Sequence, residues 1–353
     1  GFISLKNAYH GETVGALSVT DVPLFKDVYA GLLRQSRQVM SPDWRQAEAG
    51  ESALTYALRA ADALEAELDT HAETTAALIV EPLVQAAAGM GMYHAAYLQR
   101  ARELCNRYHV HLIADEIAVG FGRTGTMFGF EQAALPWQPD LSAETPPSRP
   151  RRSAPAESGG SASSRTGTMF AFEQATLPSL AKTSMNPVRP DFICLSKGLT
   201  GGYLPLSAVL TTDAIYEAFY SDDTAQGFLH SHSYTGNPLA CRAALAVLDI
   251  FDTDHTLVTN RQQAVLLTDH LQQVATHSRV RNFRHLGMIW AFEVVSAAPD
   301  FAARFHQAAL RLGVFIRPIG TTVYLMPPYV LVESDMQLLA HALLHCLNNP
   351  ALD

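Results

Sequence analysis

The sequence predicts an α/β fold, a mostly parallel sheet with helices on both faces, followed by a smaller α+β C-terminal domain. Three observations carry that reading. Short apolar runs of strand length alternate with longer helical patterns through the first two thirds of the chain, the order that a parallel sheet with crossover helices requires. Several of these runs end in a charged or glycine-rich segment, which places polar groups at the carboxyl ends of strands. From about Asp252 the character changes to a polar helix, an extended stretch and short strands, so the large domain is assigned to 1–251 and the small one to 252–353.

The elements follow in order. TTAALIVEP (74–82) reads as a buried strand. Between His94 and Tyr108, the residues Tyr97, Leu98, Ala101, Leu104, Cys105 and Tyr108 recur at three- and four-residue spacing, an amphipathic helix. Strands are expected at HVHLIADE (109–116), DFICLS (191–196) and LSAVLTT (206–212). Asn237 and Pro238 have the form of an N-cap and first-turn proline opening a helix over Leu239 to Phe251. Beyond it the pattern predicts a helix over about Leu257 to Thr276, an extended stretch Val280 to Val295 and a helix Phe301 to Leu312. Short strands near Val314 and Val323 and a final helix complete the chain.

One segment stands outside this scheme. RTGTMFGFEQAALP (123–136) recurs as RTGTMFAFEQATLP (165–178), identical at 12 of 14 positions with an offset of 42 residues. The tract between them, 137–164, is rich in Pro, Ser, Ala and Arg and has too little apolar surface to fold by itself. The repeat reads as a local tandem duplication in which one copy packs natively and the other is extruded with its linker. Its rival is a regulatory docking loop.

Composition narrows the function classes. The chain has 353 residues, 48% hydrophobic and 17% charged, a globular balance large enough for two domains. The net charge of −9, from 25 basic and 34 acidic residues, argues against a nucleic-acid partner. The one dense basic spot, Arg149, Arg151 and Arg152, falls in the Pro/Ser-rich tract and reads as solvated linker. Cys105, Cys194, Cys241 and Cys346 are widely spaced and form no CxxC pair, which fits a reduced, cytoplasmic setting. No apolar run reaches the length of a membrane span, so no membrane partner is expected.

The chemistry is written in two strand ends. HLIADEIAVGFGRTG carries Asp115 and DFICLSKGLTGGYLPLS carries Lys197, each closing an apolar run in a glycine-rich setting. Taken singly, such a lysine is an ordinary loop residue and such an aspartate an ordinary helix cap. Together, an amine and a carboxylate are what a pyridoxal 5'-phosphate enzyme requires. The amine forms a Schiff base with the aldehyde, and the carboxylate keeps the pyridine nitrogen protonated. His230 and His232 invite a metal reading, but no third or fourth ligand stands at suitable spacing.

Six blocks widen the match: YHGETVGALSVTD (9–21), IVEPLVQAAAGM (79–90), LIADEIAVGFGRTG (112–125), LSKGLTGG (195–202), HSHSYTGNPLAC (230–241) and IRPIGTTVYLMPPY (316–329). With them the chain resembles the class III, fold-type-I, pyridoxal-phosphate-dependent aminotransferases. More narrowly it resembles the adenosylmethionine–8-amino-7-oxononanoate aminotransferases, the diaminopelargonate synthases of biotin synthesis. The resemblance covers nearly everything except 137–164. It also implies that the N-terminal part of the family fold, with a Gly-Ser cup for the cofactor phosphate, is missing ahead of the YHG block.

The resemblance assigns roles residue by residue. Lys197 would hold the cofactor and shuttle the proton between substrate and cofactor, and Asp115 would pair with the ring nitrogen. Tyr9 would stack on the ring and touch substrate, with His10, Gly11 and Glu12 shaping the same wall. Glu81 and Gln85 fall near the cofactor face, Glu81 fixing its neighbours by hydrogen bonds. Ser233 occupies the hydroxyl position of a phosphate-binding loop that reaches a neighbouring subunit, so a homodimer is expected. Arg317 would clamp the substrate carboxylate, with Tyr324 nearby. Arg123 has a copy at Arg165, and the preceding Phe-Gly favours Arg123. The implied substrates are S-adenosylmethionine as amino donor and 8-amino-7-oxononanoate as acceptor, giving 7,8-diaminononanoate. The alternatives are another class III transaminase of ω-amino acid or ornithine type, and a truncated non-catalytic remnant.

Overall fold

The chain enters a parallel sheet at once. The computed structural model describes residues 1–134, 188–295 and 297–349; the linker and the second repeat copy lie outside the described residues. The described residues fall in one compact unit, Gly1–Gln138 with Pro187–Asp353. Strand β1 (Phe2–Leu5) leads through helices α1 (Val14–Val19) and α2 (Pro23–Lys26) to β2 (Arg37–Val39). Helix α3 (Ala53–His71) crosses to β3 (Ala77–Val80), and the short pair β4 (Val84–Gln85) and β5 (Gly91–Met92) precedes α4 (Ala96–Arg107) and β6 (His111–Asp115). After the undescribed segment come β7 (Phe192–Leu195), β8 (Ala208–Thr211), α5 (Asp213–Glu217) and α6 (Pro238–Thr253).

Six strands form one sheet in the order β2-β1-β3-β6-β7-β8. Every neighbouring pair is parallel except β7–β8, which is antiparallel. The mostly parallel α/β sheet expected from the sequence is therefore the one found. Helix α3 starts where Ser52 Oγ accepts from Thr55 N at 3.1 Å, an N-cap that satisfies one of the free first-turn donors. Its buried face is the stripe Tyr56, Ala57, Ala60, Ala61, Leu64 and Leu68. With Tyr97, Leu98, Ala101, Leu104 and Cys105 of α4 it packs on Ile3, Leu5, Leu78, Val80 and Leu112 of the sheet. Each fully buried leucine there contributes roughly 1.5–3 kcal/mol. Small alanines on α3 let the helix lie close to the strands.

The remaining elements are α7 (Thr256–His270), α8 (Gln272–Ala275), β9 (Val280–Leu286), β10 (Ile289–Val294), α9 (Phe301–Arg311), β11 (Thr322–Leu325) and α10 (Glu333–Leu347). Strands β11-β10-β9 form an antiparallel sheet. Strand β10 is buried on both sides. Ile289 and Ala291 join the core of the large sheet, while Trp290, Phe292 and Val294 join a second core with Leu267, Phe305 and Leu343. Alternate residues of one strand thus tie the two cores together.

Two expectations need correction. The segment near Val314 is not a strand: Val314 and Ile316 are buried and Phe315 and Arg317 exposed, but the nearest ladder contact is the isolated bridge Ile319–Thr322. Alternating burial reports which side faces the core and does not guarantee a pairing partner. The helix expected over Leu257 to Thr276 is two helices, broken at Leu271.

Candidate active site

The two chemical groups singled out by the sequence sit at the ends of adjacent parallel strands. Asp115 is the last residue of β6 and pairs in register with Cys194 of β7, three residues before Lys197. Asp115 is buried, while Lys197 is exposed at the start of a short 3-10 turn. Both line one cavity of about 1130 Å³, together with Tyr9, His10, Gly11, Glu81, Arg123 and Tyr324. Strand ends converge there because a parallel sheet opens a crevice at its carboxyl edge. The Lys197 backbone lies in the left-handed region, with φ of 45°.

The carboxylate is fixed before any ligand arrives. Asp115 Oδ1 accepts from Ile117 N at 3.1 Å, and Oδ2 lies 2.8 Å from His10 Nδ1. His10 is itself anchored, its backbone N–H donating to Thr20 Oγ1 at 3.0 Å. The other ring nitrogen, Nε2, is buried with no hydrogen-bond partner among the described residues. Tyr9 packs against Phe25 with ring centroids 5.0 Å apart and donates its hydroxyl to Glu12 Oε1 at 2.9 Å. Burial, then the Glu12 hydrogen bond, pushes the Tyr9 phenol up to about 12. The phenol therefore stays protonated, a donor and never a base at neutral pH.

Glu81 organises the wall from behind. Its two oxygens accept from Tyr9 N and Ala86 N, each at 3.0 Å, so one carboxylate fixes both the aromatic and the segment after β4. Burial pushes its carboxyl up to about 7. Glu116, next to Asp115 and fully buried, accepts from Gly129 N at 2.9 Å and Phe130 N at 3.0 Å and is pushed up to about 8, again by burial. This ties the first repeat copy to the end of β6. Arg123 of that copy donates to Pro327 O at 2.6 Å and lies 4.6 Å over the Tyr329 ring. The Tyr329 hydroxyl donates to Phe121 O at 2.6 Å.

Other expected residues lie elsewhere. Gln85 is buried behind the wall, donating to Lys6 O at 3.0 Å, with Ser41 donating to its oxygen. Glu12 is exposed at the rim. Arg317 is exposed and lines an adjoining depression that shares Tyr324 with the main cavity. Ser233 is exposed on the 228–237 loop and does not line the cavity. Thr20, Glu116 and Tyr329 carry no local signal of these roles: Tyr329 meets Phe121 from 208 residues away, and the bonds of Thr20 to His10 and of Glu116 to Gly129 and Phe130 depend on how the intervening loops fold.

The family model for class-III aminotransferases matches residues 1–144 and 158–347. The chain belongs to the class III aminotransferase family. Members of this family depend on pyridoxal phosphate. The chain is 37% identical over 342 residues to the adenosylmethionine-8-amino-7-oxononanoate aminotransferase of Helicobacter pylori, covering 95% of this chain and 64% of that protein. It is thus shorter than the curated relatives it matches. The crystal structure of the corresponding enzyme from Methanocaldococcus jannaschii superposes with a TM-score of 0.76 at 29% identity, over 98% of this chain and 67% of that one. An amine transaminase from an uncultivated Pseudomonas species, described in its pyridoxal-phosphate-bound form, superposes with a TM-score of 0.77 at 29% identity, over 98% and 69%. Against that background, the cavity fits the ring end of such a cofactor. It has an acid held in place, an amine on the same wall, an aromatic side chain, and an imidazole nitrogen still free to bond.

Proposed function

We propose that this chain binds pyridoxal 5'-phosphate and transfers an amino group from S-adenosylmethionine to 8-amino-7-oxononanoate. The observation that supports this most is the convergence of Asp115 and Lys197 on one cavity, with the acid already held by His10 and Ile117 N. When bound, the cofactor supplies an electron-withdrawing ring that makes the proton on the substrate carbon removable. The Asp115 carboxylate would pair with the protonated ring nitrogen of the cofactor, and the His10 contact holds that carboxylate in place at the cavity. Lys197 Nζ, on the cavity, would be the base that holds and moves the proton removed from the substrate Cα. Tyr9, lining the cavity, would cover one face of the ring and keep water off. The apolar lining, Ala86, Ala87, Met90, Val119 and Met326, suits the aliphatic chain of the acceptor. The name of the H. pylori relative, at 37% identity, supports this substrate pair.

The same reading includes a homodimer. Tyr203, Tyr220, Phe228, Leu229, Tyr234 and Leu239 expose 69% or more of their surface, a large apolar face around the Ser233 loop. A second copy covering it would bring that hydroxyl to a neighbouring cavity.

The test adds pyridoxal phosphate to purified protein and records the visible absorbance of a protonated Schiff base, with Lys197→Ala as control. Transfer from S-adenosylmethionine to 8-amino-7-oxononanoate is then compared with transfer to pyruvate. The amine transaminase likeness keeps a second class III reading open. Activity with keto acids alone would discard the biotin assignment, and no band in the wild type would discard the enzyme.

A further inference from the structure

The cavity wall formed by residues 86–90 is built from a conformation that a chain does not hold by itself. Met90 has φ of 54° and Gly89 φ of 75°, two consecutive residues in the left-handed region. For a non-glycine residue this conformation is strained and must be held by its surroundings. The segment joins β4 to β5, and Ala86, Ala87 and Met90 line the cavity. Its three carbonyls after Ala87 are taken up by two guanidinium groups from distant parts of the sequence. Arg45 donates to Ala88 O at 2.9 Å and to Gly89 O at 3.2 Å. Arg284 of β9 donates from Nη2 to Gly89 O at 2.6 Å and from Nε to Met90 O at 2.9 Å.

One carboxylate joins the two cations. Glu293 Oε1 lies 2.8 Å from Arg45 Nη1 and 2.8 Å from Arg284 Nη2. It sits on the side of β10 that carries Ile289 and Ala291 into the large core. Asp43 completes the set, 2.5 Å from Arg45 Nη2. The Arg284 side chain is 2% exposed, and its remaining nitrogen, Nη1, donates to Asn282 O at 2.8 Å. A fully engaged, dehydrated guanidinium has no freedom to swing, so its donors act as fixed pegs for the carbonyls they face.

We propose that Arg284, with Glu293 and Arg45, is a positioning network that sets the 86–90 wall and through it the affinity for the oxo-acid acceptor. The proposal rests on the transaminase reading. None of the three touches the reacting atoms as the cavity is built. Their effect passes through Ala86, Ala87 and Met90, which meet the substrate chain and not Lys197 or Asp115.

The test measures Arg284→Gln, Arg284→Lys and Glu293→Gln. Hydrogen exchange of a peptide spanning 86–92 reads the wall directly and needs no catalysis. Steady-state kinetics with 8-amino-7-oxononanoate reads its consequence. Arg284→Gln and Glu293→Gln should speed exchange at 86–92 and raise KM by on the order of tenfold, the scale of losing apolar contact with a substrate chain in a pocket. The value of kcat and the Kd for pyridoxal phosphate should stay within about twofold, the mark of lost substrate binding alone. Arg284→Lys, which keeps the charge but loses the fork, should recover part of the KM. A role in stability alone would lower the unfolding midpoint and leave KM in place. Unchanged KM, or a raised KM without faster exchange at 86–92, overturns the proposal. If Arg284→Gln does not fold, Glu293→Gln decides. If the wild type transfers no amino group, the function above fails, and exchange at 86–92 with the Kd of 8-amino-7-oxononanoate by ligand-observed NMR still decides this network.

Discussion

A methyl group on Gly129 should unsettle the site from more than one direction. The Cβ of an alanine there would meet Pro82 Cβ and Pro82 O, both at 3.2 Å, and Glu116 Oε1 at 3.5 Å. The first two are too close, and both belong to a proline ring and its carbonyl, which cannot rotate away. Relief requires moving 129 outward, which stretches the bonds from Gly129 N and Phe130 N to Glu116, or moving Pro82, which drags Glu81 and its grip on Tyr9 N and Ala86 N. Overpacking of this kind costs about 1–3 kcal/mol. The assay is equilibrium urea unfolding of Gly129→Ala beside Gly15→Ala. An added Cβ at position 15 meets nothing within 4 Å, and alanine in a helix is neutral or mildly stabilising. A loss below about 0.5 kcal/mol for Gly129→Ala, or an equal loss for both variants, would refute the steric reasoning. The result bears on the duplication, because the second copy carries Ala171 at this position. The socket between Pro82 and Glu116 accepts the first copy and would resist the second.

Two further outcomes are expected. The Glu81 carboxyl is raised from 4.5 to about 7 by burial, so the folded state binds its proton more tightly than the unfolded state does. The stability from this group is therefore complete below about pH 4.5 and is lost as pH climbs through 7, a span worth on the order of 3 kcal/mol. Glu81→Gln should flatten the pH dependence of the urea midpoint between pH 5 and 8; an unchanged slope would show that Glu81 is not the titrating group. His10→Phe keeps an aromatic ring but strips Asp115 Oδ2 of its partner, so it should cost about 1.5–3 kcal/mol by the same assay. A variant as stable as the parent would show that the His10–Asp115 contact contributes nothing to the fold.

The local patterns were legible from the sequence. Asp115 and Lys197 were placed at strand ends because apolar runs of strand length stop abruptly at each, and β6 and β7 end within two residues of them. The cap at Asn237 was equally readable, its Oδ1 accepting from Leu239 N at 3.0 Å, since capping is decided within four residues. Residues 314–316 misled because their alternation reflects burial against the second core, with His306 Nδ1 bonded to Ile316 O where a strand partner was expected. Helix α3 has a clear buried stripe, yet its alanine-rich face gives a weak contrast to read. Arg45 and Arg284 could not be found at all. They stand 239 residues apart in the sequence, and each alone looks like any surface arginine.

The left-handed backbone at position 197 has a consequence for how such a residue persists. Glycine would relax that φ of 45° at no steric cost, so folding by itself gains nothing from a long side chain there. A lysine is held in a posture that its own backbone resists, beside a turn already rich in glycine. Under the proposed function, what would keep it in place is the work of its amine, and a lineage released from that work would be free to drift toward the easier residue.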